Sequence, residues 1–140
     1  MSVVLTRAQV REIEAHAQET YPEECCGFLL GPSDQPRRIA EVRRATNVVE
    51  SDRGRRYVID PREILTVEKS LEGMDREILG FYHSHPDHPA APSEFDRSHA
   101  WPWYSYVILS IVDRMPADLR AWSLDGETQS FRSEPLTMAS

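Results

Sequence analysis

The sequence predicts an α+β fold: one domain in which a mixed β-sheet carries packed helices. Three observations lead there. Two apolar runs, Ile78-Leu79-Gly80-Phe81-Tyr82 and residues 104–112, are rich in β-favouring residues and read as buried strands. Apolar residues recur at helical spacing at Val10, Ile13 and Ala17, and again at Ile64, Leu65, Val67 and Leu71. The length of 140 residues suits one compact domain with a real core.

Thr6 and Gln9 make a capping-box pattern that opens a helix ending near Tyr21, because Pro22 disfavours helix in the residue before it. Residues 25–30 read as a buried strand, and Gly31-Pro32-Ser33-Asp34 as a turn. A strand follows over 38–47, its Ile39 and Val42 alternating imperfectly, then a polar loop over 48–55 and a short strand over 57–59. Asp60-Pro61-Arg62-Glu63 starts a second helix, with Asp as cap and Pro where its missing N–H costs nothing, and Gly73 stops it. A strand over 78–85, a short helix from Ser93 to about residue 100 and a central strand over 104–112 come next. Residues 119–124 and 129–132 form a closing hairpin around Asp125-Gly126. The order is α-β-β-β-α-β-α-β-β-β, with one domain over 1–134 and a frayed tail over 135–140.

The net charge of −7 and a pI near 5.2 argue against nucleic acid as a partner, since phosphate binding needs a basic surface. Arginines at 37–38, 43–44 and 53–56 read as exposed strand and loop charges. No apolar segment is long enough to span a membrane, and the first residues lack the apolar core of a signal peptide, so a cytoplasmic protein is expected. Cys25 and Cys26 are adjacent and without other cysteines, which excludes a disulfide framework and leaves them as small core side chains.

The chemistry gathers in residues 80–96. His83 and His85 stand at i and i+2 at the end of an apolar strand, so both imidazoles leave one face and Ser84 the other. If the proline-rich loop after them folds back, Asp96 arrives beside them. Two imidazoles and a carboxylate suit Zn²⁺ and leave a fourth tetrahedral position for water. Asp96 has a competing reading: Ser93-x-x-Asp96 is itself a capping box, and both readings hold together if the carboxylate divides its oxygens between metal and backbone. His88 and His99 are rival ligands, one in the loop and one at i+3 from Asp96. Trp101-Pro102-Trp103-Tyr104 reads as core ahead of a substrate groove.

His-x-His-Pro, six residues, Ser, two residues, Asp is the spacing at 83–96, and Glu24-Cys25-Cys26-Gly27 enters an apolar strand upstream. On these positions the chain resembles the JAMM (MPN+) zinc metallopeptidases over most of its length. The resemblance implies a single JAMM/MPN domain, a curved mixed sheet flanked by helices, with deaminase-like architecture. It implies one zinc on His83, His85 and Asp96, Glu24 as general base and acid, and Ser93 as the group that stabilises the oxyanion. The register with Gly27 is what selects Glu24 over Glu23, and for Ser93 the helix cap is an equally good reading of the residues alone.

The family acts at the C-terminal glycines of ubiquitin-like proteins. A chain this short resembles its small bacterial branch, which works with ThiS- or MoaD-like sulfur carriers ending in Gly-Gly in sulfur transfer and cysteine biosynthesis. Two rival functions stand beside the isopeptidase: a non-catalytic MPN scaffold, and a zinc hydrolase of small amides.

Overall fold

The computed structural model describes residues 2–140. In chain order it contains β1 (Val3–Thr6), α1 (Arg7–Thr20), β2 (Cys26–Gly31), β3 (Arg37–Arg38), β4 (Glu41–Ala45), α2 (Pro61–Ser70), β5 (Glu77–Pro86), α3 (Glu94–Ser98), β6 (Ser105–Val112), β7 (Met115–Leu124), β8 (Phe131–Glu134) and β9 (Leu136–Ala139). The fold is mixed α+β, as expected. A six-stranded sheet runs β4-β2-β5-β6-β7-β8, and a three-stranded sheet runs β3-β1-β9. In the larger sheet β5 and β6 alone pair in parallel, and the chain between them carries α3.

The helix starts are set locally. The Thr6 hydroxyl accepts from the Gln9 N–H while the Gln9 side chain accepts from the Thr6 N–H, and Gln9 Nε2 also donates to the Ile39 carbonyl at 2.8 Å. Asp60 accepts from the Arg62 N–H ahead of Pro61. α1 and α2 cover opposite faces of the larger sheet. Val10, Ile13 and Ala17 pack with Leu29, Leu79, Tyr82, Val107 and Leu109, whereas Val67 and Leu71 pack with Phe28, Leu30, Ile78, Phe81 and Tyr106.

Ile78 and Phe81 face one layer while Leu79 and Tyr82 face the other, which a regular strand cannot do. The register against β2 slips between Leu29 and Leu30, whose partners are Gly80 and Ile78, so Leu79 is the extra residue of a bulge. Beyond it, Phe81, His83 and His85 share the α2 face.

The expected strand over 38–47 is two strands in different sheets. Arg37–Arg38 pairs with β1 and Glu41–Ala45 pairs with β2, the chain crossing between sheets at Ile39 and Ala40, whose amides bond to the Val4 and Leu30 carbonyls. The three-residue spacing of Ile39 and Val42 reflects that crossing. The strand expected over 57–59 is a single bridge between Asn47 and Ile59. The tail expected to fray forms β9 instead, paired in parallel with β1 from Val3↔Leu136 to Thr6↔Ala139. A partner far away in sequence satisfies its backbone, which no local pattern announces. Trp101 and Trp103, read as core, are 67 % and 49 % exposed, and Trp103 lies under the Arg37 guanidinium. No helix among the described residues is long and apolar enough to cross a membrane.

Gly27 has a steric reason to be glycine, since a Cβ there would stand 2.1 Å from the Tyr82 ring. That ring is fully buried and its hydroxyl is hydrogen-bonded to His16 Nδ1 at 2.6 Å, so it cannot withdraw. Gly27→Ala is expected to cost roughly 1–3 kcal/mol by overpacking, read as a lower midpoint in thermal or denaturant unfolding.

Candidate metal centre

The site lies at the carboxyl end of β5, where the parallel crossover to β6 begins. The bulge sets the parity of His83 and His85, and Ser84, pointing the other way, accepts from the Cys25 N–H at 2.8 Å. The loop after β5 cannot form a ladder through its prolines, so side chains take its carbonyls instead. His88 Nδ1 bonds to the Pro86 carbonyl, Ser110 Oγ donates to that of His88, His85 Nδ1 bonds to that of Pro89, and Trp122 Nε1 donates to that of Ala90, all at 2.7–3.0 Å. Asp87 adds an anchor by accepting from the Tyr21 hydroxyl and the Asp113 N–H. Thus fixed, the loop delivers α3 with Asp96 in its first turn.

His83 Nε2, His85 Nε2 and Asp96 Oδ2 stand 3.1–3.2 Å from one another. Ligands spaced tetrahedrally at zinc distances of about 2.0–2.1 Å would be about 3.3–3.4 Å apart, so the triangle is close to the size for one ion. The donor set fits as well. His85 donates Nδ1–H to the Pro89 carbonyl at 2.7 Å, which leaves the Nε2 lone pair facing inward. With the His83 proton likewise on Nδ1, which is buried without a partner, three electron-rich atoms would converge on one point, an arrangement that a cation stabilises. Burial works to raise the Asp96 carboxyl, but the adjoining His83 and His85 imidazoles and the Ser93 N–H favour its ionised form and hold it well below its usual range.

The capping box of α3 is present together with this arrangement. Ser93 Oγ accepts from the Asp96 N–H at 3.0 Å, and the Ser93 N–H donates to Asp96 Oδ2 at 2.9 Å. The division of labour differs from the expected one: Oδ2 serves both the backbone and the histidines, while Oδ1 is buried without a partner.

Glu24 is 1 % exposed and neither carboxylate oxygen has a hydrogen-bond partner. Its ligand atom lies with those of His83, His85 and Asp96 in a group spanning no more than 4.8 Å. Burial pushes its carboxyl up to about 8; the His85 charge opposes this and the Asp96 and Asp52 charges add to it. Its backbone is fixed from both sides, the N–H donating to the Arg53 carbonyl at 2.8 Å and the carbonyl accepting from Asn47 Nδ2 at 3.3 Å. Glu23 is exposed at the surface.

The structure thus brings Glu24, His83, His85 and Asp96 together, with Ser93 at the cap beside them. His88 stacks on His85 at 4.3 Å, and His99 stacks on Phe95 at the exposed end of α3. Sequence reasoning missed Tyr57, whose ring stacks on His83 at 4.4 Å, and Asn47, which braces the loop over Glu24. Neither carried a local signal. Burial pushes the Cys25 thiol up to about 11 and the Cys26 thiol higher still, so both are inert packing groups.

The family model for prokaryotic homologs of the JAB domain matches residues 6–125. A desampylase of Haloferax volcanii is 38 % identical over 110 residues, covering 75 % of this chain and 78 % of that protein. A CysO-cysteine peptidase of Mycobacterium tuberculosis is 35 % identical over 126 residues, covering 87 % and 83 %. The solution structure of a protein from Desulfitobacterium hafniense superposes with a TM-score of 0.84 at 31 % identity, covering 99 % of this chain and 93 % of that one.

Proposed function

The chain belongs to the family of prokaryotic homologs of the JAB domain and is a hydrolase of the JAMM type, and we propose that it is a zinc peptidase that cuts the bond after the C-terminal Gly-Gly of a ubiquitin-like or sulfur-carrier protein. The observation that carries this reading is the convergence of two imidazole nitrogens, one aspartate oxygen and an unpartnered buried glutamate within 4.8 Å. The names of the relatives, a desampylase and a CysO-cysteine peptidase, support a small protein substrate.

His83, His85 and Asp96 would hold the zinc. Bound there, zinc supplies Lewis acidity and lowers the pKa of water toward about 7. Glu24 takes the proton that the attacking water loses and delivers it to the departing nitrogen; the water oxygen stays on the glycine as a carboxylate. Ser93 has two functions at once: its Oγ accepts from the Asp96 N–H, which leaves its own O–H free to donate to the substrate carbonyl oxygen as negative charge develops there.

Ser93→Ala removes both functions, and the two effects differ in size. Cap loss costs about 1 kcal/mol of stability, whereas loss of an oxyanion donor costs roughly 10²–10³ in kcat. The expected outcome is a small fall in the melting midpoint with a large fall in kcat; unchanged kcat would leave Ser93 as a cap only.

The function is tested with a small carrier ending in Gly-Gly and bearing an amide-linked adduct on the last glycine, followed by intact-protein mass spectrometry with and without chelator. Loss of the adduct alone, blocked by chelator, is expected. A valine at the penultimate position should slow cleavage sharply, because a Gly-Gly tail adds no side chains to the channel beside the rigid loop. Equal cleavage of the valine carrier overturns a narrow channel, and no cleavage of any adduct favours small amides as substrates.

A further inference from the structure

Arg55 is an exposed arginine whose guanidinium forms no hydrogen bond or ion pair among the described residues, although its neighbours are engaged. Arg53 Nε donates to the Val49 carbonyl at 3.0 Å, and the Arg56 guanidinium lies 4.8 Å over the Phe95 ring. Arg55 opens instead into the cleft that also contains Ser93 and His88. Two acids line the same cleft, and both already have partners: Asp87 accepts from the Tyr21 hydroxyl and the Asp113 N–H, and Asp52 lies 3.9 Å from Arg56.

The backbone on either side of Arg55 is fixed. The Arg53 carbonyl accepts from the N–H of Glu24, the Arg55 N–H closes a turn onto the Asp52 carbonyl at 2.9 Å, and the Arg56 carbonyl accepts from Asn47. The segment that presents the guanidinium is therefore hydrogen-bonded to the residue that serves the departing nitrogen. That places an arginine without a side-chain partner on the segment bonded to Glu24, in the cleft that Ser93 also lines.

Resting on the peptidase reading above, we propose that Arg55 forms a carboxylate subsite that selects adducts whose leaving group is a free α-amino acid over those joined through a lysine side chain. The carboxyl carbon of an α-amino acid lies about 2.5 Å from its own nitrogen, so with the nitrogen at Glu24 the carboxylate stays next to the reacting centre, where it can turn toward the cleft that Arg55 and Ser93 line. A lysine ε-amine carries no such charge, since its own carboxyl is a full side chain away and is consumed in a peptide bond. Guanidinium and carboxylate match in planar two-point geometry. The exposure of Arg55 keeps the expected preference near tenfold and makes it fall with salt.

The test uses the full chain carrying zinc, in a Glu24→Gln background so that ligands survive, titrated with Gly-Gly-Ala and with Gly-Gly-alaninamide. These peptides lack a thiol, so sulfur ligation does not enter. The acid should bind about tenfold tighter than the amide, with a shift of the Arg55 side-chain resonance in NMR. Adding Arg55→Ala should bring the ratio near one, while Arg55→Lys should keep part of it. An equal affinity for acid and amide, or a preference that survives Arg55→Ala, overturns the subsite. The outcome is separable from the peptidase reading. Cleavage of carrier adducts without the acid preference sinks the subsite alone, and the acid preference without cleavage of any carrier adduct sinks the carrier reading alone.

Discussion

Replacing His83 and His85 together by alanine is expected to leave the purified protein without zinc and to lower hydrolysis of a carrier adduct by about 10³-fold or more. The wild type is expected to carry about one zinc per chain. Without the two imidazoles only the Asp96 and Glu24 carboxylates would remain of the group, too few ligands to keep zinc through purification. Elemental analysis beside an activity assay reads both effects. Stoichiometric zinc in the double variant would move the metal to other residues. Chelation should also lower the melting midpoint of the wild type, because an ion that binds only the folded state stabilises it, and the double variant should not respond.

Glu24→Gln is expected to lower turnover by roughly 10²–10⁴ with zinc content unchanged. The substitution keeps size and shape in a fully packed position and removes the proton-carrying function. Glu23→Gln is the control, because that side chain lies in solvent and should matter little. If Glu23→Gln is the inactive variant, the assignment is shifted by one residue. A second signature concerns stability of chelated protein. The Glu24 carboxyl is raised from 4.5 to about 8 in the folded state, so the folded chain holds this proton to higher pH than the unfolded chain does. Its contribution is fully present below about 4.5 and is lost as the pH rises toward about 8. Glu24→Gln should flatten that slope.

The two histidines were legible because strand periodicity alone puts i and i+2 on one face. Asp96 and Glu24 were legible only through their spacing in a family pattern, since nothing local to either residue says that loops will bring them within reach of β5. The helix starts were legible because caps are local chemistry, as at Thr6 and Asp60. The bulge at Leu79 was not, because a run with no polar residue from Ile78 to Tyr82 has no alternation to interrupt. The Tyr57 stack on His83 and the Asn47 brace were hidden for the same reason as β9: each depends on a partner distant in sequence. Trp101 and Trp103 misled because an aromatic run has one composition whether it faces the core or water.

The parallel pairing of β1 with β9 also has a consequence for how the chain acquires its structure. Val3 and Leu136 are neighbours in space yet more than a hundred residues apart along the polypeptide. Bringing such ends together costs loop-closure entropy before any contact repays it, and pairings of this kind slow the search for the native state. Synthesis runs from β1 to β9, so α1 can wind from its capping box and dock while the strand before it still lacks that neighbour. The histidine strand and its neighbours β2, β4, β6 and β7 are all made before β9, so most of the larger sheet can pair before the smaller one is complete. Early in a polypeptide's life the pocket can already be shaped while the seam that joins its two extremities is still open.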